Sequence, residues 1–334
     1  MPRLGLTPEE VRQRRARVPG FVARLVNWIE TLLFVVAGGC LLTGCASARS
    51  QMGIGIDETG SRVSIVTGAD GEQTLWIVNL LTMRPVKVAS HYSIDFSSIS
   101  SAGNLIAYSY RESEGAYRKV RIRNLSDGSR EDISVNSRHC LFPSLSGDGS
   151  KIVYAIAGER INAWGGLKPT DYSLVLVDRR TGKRKTLEEG PVPEIRYPCL
   201  DTDSGIVTYY RERFRSGPQI VEYEMCRLTL ETGQLSVREI AGLSVGGRWI
   251  DSVLYFDGYI GESYRDSILR LSSTSSQPVS IYDSGKQFDG IAWSTGAPIA
   301  VGLEQISGRR VILHVVNLET GEVELKPLEF PDGA

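Results

Sequence analysis

Phe142-Pro143-Ser144-Leu145-Ser146-Gly147-Asp148-Gly149-Ser150-Lys151-Ile152-Val153-Tyr154 decides how this chain folds. Strand-forming residues flank Asp148-Gly149, a strong short-range signal for a tight hairpin. After a long connection the pattern continues with Tyr172-Ser-Leu-Val-Leu-Val-Asp178-Arg-Arg-Thr181-Gly182. The order is strand, Asp-Gly turn, strand, longer loop, strand, Thr-Gly turn, strand.

That order recurs. Second strands are anchored at Val66, Tyr108, Tyr154, Tyr209, Tyr255 and Val301, spaced 42 to 55 residues apart. Third strands at 75–80, 120–125 and 312–318 alternate in the way half-buried strands do. Leu230-Glu-Thr-Gly233 and Leu318-Glu-Thr-Gly321 are near-identical turns. No segment after the leader keeps a helical period. The 334 residues would suggest two domains at roughly 150 residues each, but a repeat running the length of the chain argues for one. Six units of four short strands predict an all-β fold, a six-bladed β-propeller over residues 53–330. Radial closure protects strand edges that an open sheet would expose.

The motifs also carry a resemblance. Ser146-Gly-Asp-Gly-Ser-Lys-Ile-Val-Tyr154, followed by Leu176-Val-Asp-Arg-Arg-Thr-Gly182, resembles the TolB-type propeller repeat. That pattern runs Ser-Pro-Asp-Gly, two residues, Ile-Ala-Tyr/Phe, then Ile-Tyr-Val-Met-Asp and a Gly turn. Units two, four and six keep parts of it from Ser101, Asp203 and Ser294, while units one and five rest on spacing. The resemblance implies the fold. The separate α/β domain that precedes the propeller in TolB is missing, so TolB's partners in the Tol–Pal system do not carry over.

The first 45 residues give an address. Arg3, Arg12, Arg14, Arg15, Arg17 and Arg24 precede the apolar run from Thr31 to Leu42. Thr31 to Gly44 is 14 residues, short for a hydrocarbon core of about 30 Å but right for the apolar region of a secretory signal. The run ends in Leu42-Thr43-Gly44-Cys45, which resembles the lipobox of bacterial lipoproteins. In that family the leader is cut between the residues matching Gly44 and Cys45. The cysteine carries a diacylglycerol thioether and its new amino terminus is acylated, commonly with palmitate. Several acyl chains, at about 0.8 kcal/mol per buried CH₂, anchor stably where one would not. The expected organisation is a signal peptide at 1–44, a lipidated tether at 45–52 and the propeller. An uncleaved anchor over 25–44 would have to bury Glu30. Cys40 lacks a Leu three residues before it, and Arg14-Arg15 matches a twin-arginine signal poorly. Ala46, rather than Asp, after the lipidated cysteine points to the outer membrane, facing the periplasm or exterior.

The leader carries six arginines against three glutamates. The remaining 290 residues therefore have a net charge of −4, against −1 for the whole chain, and no basic field for nucleic acid. Cys140, Cys199 and Cys226 allow one disulfide at most and match no zinc spacing.

Catalytic signals are weak. Gly242-Leu243-Ser244-Val245-Gly246 matches a nucleophile elbow, but loop and strand follow where the elbow needs a helix. Asp201-Thr202-Asp203-Ser204-Gly205 starts like a calcium loop, yet Gly205 and Ile206 stand where an acidic residue and Gly belong. It occupies the place of Ser146–Gly149 and reads as a hairpin. No phosphate loop and no histidine-rich metal cluster is present, so no cofactor, metal or catalytic residue is assigned.

Extended connections at 157–168 and 211–219 share one predicted face with the segments leading into each first strand. That face carries His91, Arg138, His139, Trp164, Arg196, Tyr197, Arg213, Phe214, Arg248, Trp249 and the stretch Gln287-Phe288-Asp289. Arg and aromatic side chains are common interface anchors, and repeat proteins often place insertions on their binding face. The expected function is non-catalytic: a monomeric, lipid-anchored propeller binding an envelope protein, peptide or glycan. The alternative is a lactonase- or hydrolase-type propeller with a metal–carboxylate site in its channel.

Replacing Cys45 by Ser should abolish acyl labelling and leave an uncut precursor 44 residues longer in whole cells. Labelling that persists, or that moves to Cys40, would refute the assignment.

Overall fold

The computed structural model describes residues 53–331, apart from 70, 162–166, 193, 202–204, 215–220, 241–246, 251–252, 260–265, 273–276, 287, 295 and 308. Among the described residues there are twenty-four strands and no helix. Blade 1 is β1 (Ile54–Ile56), β2 (Arg62–Ala69), β3 (Glu72–Asn79) and β4 (Pro85–His91). Blade 2 is β5 (Ser93–Ile99), β6 (Leu105–Arg111), β7 (Lys119–Asn124) and β8 (Arg130–Ile133). Blade 3 is β9 (His139–Leu145), β10 (Lys151–Ile161), β11 (Leu167–Asp178) and β12 (Arg184–Val192). Blade 4 is β13 (Glu194–Asp201), β14 (Ile206–Phe214), β15 (Val221–Thr229) and β16 (Leu235–Ile240). Blade 5 is β17 (Gly247–Ile250), β18 (Val253–Tyr259), β19 (Asp266–Leu271) and β20 (Val279–Asp283). Blade 6 is β21 (Gly290–Trp293), β22 (Ile299–Ser307), β23 (Arg310–Asn317) and β24 (Val323–Glu329). Every blade is an antiparallel sheet of four consecutive strands, so no strand is lent between the two ends of the propeller.

The turns follow from their residues. In blade 3, Asp148 Oδ1 accepts from the Ser150 amide at 2.9 Å and from the Ser146 hydroxyl at 2.7 Å. Ser146 Oγ in turn accepts the Lys151 amide at 2.8 Å. Hydrogen bonds from Ser146 and Ser150 hold the Asp148 carboxyl down to about 2. Gly149, at φ +69°, supplies the left-handed residue the hairpin requires. Four third strands end on a residue whose side chain caps the next turn. Asn79, Asp178 and Asn317 each accept a backbone N–H two or three residues on. Asp201 and Ile206 pair across the first hairpin of blade 4, as expected in place of a calcium loop.

The register corrects two anchors. Counting from the first hairpin, the positions matching Tyr108 and Tyr154 are Ile65 and Gly302, one residue from Val66 and Val301. Gly302 is required there. A Cβ on it would lie 2.6 Å from the Phe288 ring, which fills the space a tyrosine takes in other blades.

Six apolar clusters lie one at each blade interface. Blades 1 and 2 pack through Val66, Leu75, Ile106 and Tyr108. Blades 2 and 3 pack through Ile122, Ile152 and Tyr154, and blades 3 and 4 through Leu174, Ile195 and Tyr209. Tyr210 and Met225 meet Leu254 and Phe256 between blades 4 and 5. Ile268 meets Val316 and Leu318 between blades 5 and 6. The ring closes where Ile54, Ile65, Trp76 and Val78 of blade 1 meet Leu303, Leu313, Leu328 and Phe330 of blade 6. Hydrogen bonds between hairpins reinforce this ring. The Ser294 hydroxyl donates to Glu58 O at 2.6 Å, and the Ser101 hydroxyl to Gly147 O at 2.6 Å. Arg62 donates to Gly103 O at 2.8 Å.

Phe330 is 2% exposed and its ring centroid lies 5.5 Å from that of Trp76. Phe330→Ala should cost about 3–5 kcal/mol in urea denaturation, as a cavity opens in the closing interface. Leu325→Ala, 56% exposed on the strand that leads into Phe330, should stay within about 0.5 kcal/mol. Equal midpoints for the two variants would contradict this account of closure.

Candidate functional site

The first strand of each blade lines the axis. Three of them, β5, β9 and β13, carry a bulge at the same place in the ladder. Phe96, Phe142 and Tyr197 sit there, each three residues before the strand's last hydrophobic residue (Ile99, Leu145, Leu200). Phe142 and Tyr197 take φ of 52° and 49°, a left-handed conformation costing non-glycine residues about 1–2 kcal/mol. Pro143 and Pro198 follow at the bulges, where a missing N–H costs the ladder least. The bulges turn three rings together. Phe96 lies 4.2 Å from Phe142 and 5.3 Å from Tyr197, and Phe142 lies 5.4 Å from Tyr197. By register the matching positions in blades 1, 5 and 6 are Gly53, Gly247 and Gly290. Half of this axial layer is aromatic and half has no side chain.

A cavity of about 100 Å³ adjoins the rings. Its walls are the halves of the inner strands nearest the first hairpins, including Ile54, Ser98, Ser144, Cys199 and Trp293. Serine hydroxyls stitch blades here: Ser98 accepts the Leu145 amide at 3.0 Å and Ser144 the Leu200 amide at 3.1 Å.

Toward the loop-rich end, charged pairs flank the aromatic layer. Arg118 holds Asp95 through two hydrogen bonds, one of 3.1 Å. Arg196 Nη2 donates to the buried Glu194 at 2.7 Å. His139 opens β9 and is buried. Its Nδ1 accepts the Arg118 amide at 3.1 Å and its Nε2 faces Glu159 at 2.7 Å. Arg138 Nη2 donates to Asp171 O at 3.0 Å.

The other sequence-derived residues are dispersed. His91 ends β4 in a separate cluster, with its ring 4.2 Å from Tyr110 and its Nε2 3.4 Å from Arg121. Arg248 and Trp249, expected in the connection into blade 5, lie inside β17. Arg248 Nη1 reaches Ala297 O at 3.0 Å, in the first hairpin of blade 6 and so at the opposite end from the loops. Trp249 packs against the apolar cluster between blades 4 and 5. Phe288 packs on Gly302 and lies 5.0 Å from His314, and Asp289 accepts the Gln305 amide at 2.8 Å. Arg213 and Phe214 end β14, with side chains outside the described set. Gly44, Cys45, Trp164, Gln287 and the 242–246 motif lie outside the described residues. Phe96 and Phe142 were missed as site residues. Their signal was a fixed offset before the hairpin, shared with Tyr197.

His314 accepts or donates on both sides, to Tyr282 at 2.7 Å and Glu304 at 2.9 Å, and so ties blade 5 to blade 6. Cys140, Cys199 and Cys226 form no disulfide. Burial pushes the Cys140 thiol up to about 11 and the Cys226 thiol up to about 12, which keeps both protonated and unreactive at neutral pH. Among the described residues no three His, Cys, Asp or Glu side chains converge as metal ligands.

Burial lowers the His139 pKa below 6.5, outweighing the opposing pull of Glu159. Geometry agrees, since a second ring proton would sit on Nδ1 and face the Arg118 N–H. The unfolded imidazole takes its proton near 6.5. The stability that neutral His139 supplies is therefore complete above that pH and is lost as pH falls toward the lowered folded value. His139→Gln, which keeps a donor and an acceptor, should flatten the decline of the urea midpoint below pH 6.5. An unchanged slope would exclude His139 as its source.

No protein-family model matches the chain, and no curated protein does. Solved structures share its fold. TolB from Acinetobacter baumannii aligns with a TM-score of 0.60 at 16% identity, over 81% of this chain and 64% of that one. An oligogalacturonate lyase from Vibrio parahaemolyticus aligns at 0.51 and 15% identity, over 81% and 75% of the two chains. An oligogalacturonate lyase in complex with manganese gives 0.52 and 14%, over 81% and 74%. The chain spans about 64% of TolB's length. At these identities the likeness establishes the architecture, a TolB-like six-bladed β-propeller, and nothing finer.

Proposed function

We propose that this chain is a non-catalytic binding propeller of the bacterial cell envelope, tethered by lipid on Cys45, whose loop-rich end receives an extended segment of a protein or peptide partner. The observation that carries this reading is the aromatic half-layer of Phe96, Phe142 and Tyr197 on the axis. Phe96 and Tyr197 remain partly exposed. Aromatic rings offer large contact area at low entropic cost, and Arg118–Asp95 and Arg196–Glu194 add charged groups beside them. The rigid ring needs no rearrangement to present these groups. The lipobox resemblance and the TolB-like fold both agree with an envelope setting.

The enzyme reading draws its support from the fold shared with the lyases, one of them in complex with manganese. It would place carboxylates around a channel metal and make turnover depend on adding that metal.

Crosslinking of the intact lipoprotein in its native envelope, read by mass spectrometry, tests the proposal. Tyr197→Ala and, separately, Phe96→Ala should weaken capture of a specific partner by an amount equivalent to about 2 kcal/mol, the scale of an aromatic anchor. Capture unchanged in both folded variants would reject this surface. Manganese-dependent turnover of an acidic oligosaccharide by the wild-type chain would reject the non-catalytic reading.

A further inference from the structure

A second cavity, of about 190 Å³, lies between blades 4 and 5 and meets the axial one at Cys199. One liquid water occupies about 30 Å³, so this space suits a group of several heavy atoms. Cys199, Thr208 and Arg227 form a cross-strand row on one face of blade 4, because Cys199 pairs with Thr208 and Thr208 with Arg227. Arg248 and Trp249 supply the facing wall from β17, and Asp201 sits at the hairpin end.

Two donors of this cavity lack acceptors. Among the described residues Arg227 Nε and Trp249 Nε1 are both buried without a hydrogen-bond partner. Leaving a buried donor unsatisfied costs about 1–3 kcal/mol, and more for a charged group. Arg248 is 8% exposed, burial lowers its pKa, and its Nη1 donates to Ala297 O at 3.0 Å. Among the described residues the lining holds two guanidinium groups and one carboxylate, that of Asp201. Buried groups with this imbalance are complementary to an anion that accepts several hydrogen bonds at once.

We propose that the cavity between blades 4 and 5 binds a small oxyanion, the carboxylate or phosphate group of a low-molecular-weight ligand, through Arg227, Trp249 Nε1 and Arg248. Arg227 and Arg248 approach from the two blades, so the anion bridges them. The indole N–H fixes its orientation. The site lies toward the first-hairpin end of the propeller, away from the loop-rich end, and does not depend on the partner reading above.

The test uses the full chain in detergent, with inorganic phosphate and succinate as separate probes and chloride holding ionic strength constant. Calorimetry and tryptophan fluorescence should show one-site saturation by at least one probe at millimolar concentration. Saturation by phosphate alone identifies a tetrahedral ligand, and by succinate alone a carboxylate. Trp249→Phe keeps the ring and removes the donor, and should weaken binding about tenfold, the scale of one charge-assisted hydrogen bond. Arg227→Gln should weaken it at least as much. If Arg227→Gln fails to fold, Trp249→Phe alone decides. Absence of saturation by both probes, or affinity unchanged in Trp249→Phe, would overturn the proposal.

Discussion

Closure of the ring without a shared strand is the constraint from which the rest of this structure follows. Each blade is a self-contained sheet of consecutive strands, so no main-chain ladder crosses from blade 6 to blade 1. The interface must hold through side chains and isolated turn contacts. It does so with an apolar cluster in which Trp76 meets Phe330, and with the Glu58 carbonyl, which accepts from the Ser294 hydroxyl and the Gly296 and Ala297 amides. A hairpin carbonyl with three donors is a local anchor that an isolated blade could not supply. The same device, a hairpin reaching to its neighbour, recurs between blades 1 and 2 and between blades 2 and 3. The hairpin end is thus a hydrogen-bonded collar, and the blade interfaces behind it are mainly apolar.

Six similar interfaces need not be equal. Between blades 3 and 4, the partly buried Arg211 stands between Glu188 and Glu224, although Glu188 Oε2 is left without a hydrogen-bond partner. Between blades 5 and 6, His314 is satisfied on both ring nitrogens. Between blades 4 and 5 the polar groups do not balance in this way. Arg227 and Trp249 keep orphan donors, and Arg248 runs past them to the next hairpin. The His314 interface shows that this fold can satisfy a buried polar group between blades.

The fold was legible because its signals are local. Asp148-Gly149, Thr181-Gly182 and the Asn or Asp ending four of the third strands set turn geometry within four residues, and no distant contact is needed to read them. Errors arose where the answer lies across a blade. Val66 reads as the anchor by spacing, yet the ladder pairs Ile65 with Ile54 and puts Ile65 at the position of Tyr108. Gly302 carries no apolar signal, because its space belongs to Phe288 from another segment. Arg248 and Trp249 were read as loop residues since Gly246-Gly247 precedes them, yet β17 begins at Gly247. The aromatic layer was in the sequence as a repeated offset, but only the bulges at β5, β9 and β13 show that the three rings meet.

The two ends of the axis consequently differ in what they can do. Near the loop-rich end the charged groups are already paired with one another: Asp95 with Arg118, Glu194 with Arg196, and His139 with Glu159. A partner there gains little by replacing satisfied ion pairs, and its binding energy has to come from covering aromatic surface. Toward the hairpin end, between blades 4 and 5, the donors lack acceptors, so an anion gains hydrogen bonds that the empty protein does not make. Occupancy of such a site also stabilises the folded chain, by an amount that grows with ligand concentration over its dissociation constant. It would do so at blades 4 and 5, where the described apolar cluster holds six buried residues against fourteen at the closing interface. Apolar packing and anion binding would then be alternative ways of holding neighbouring blades together.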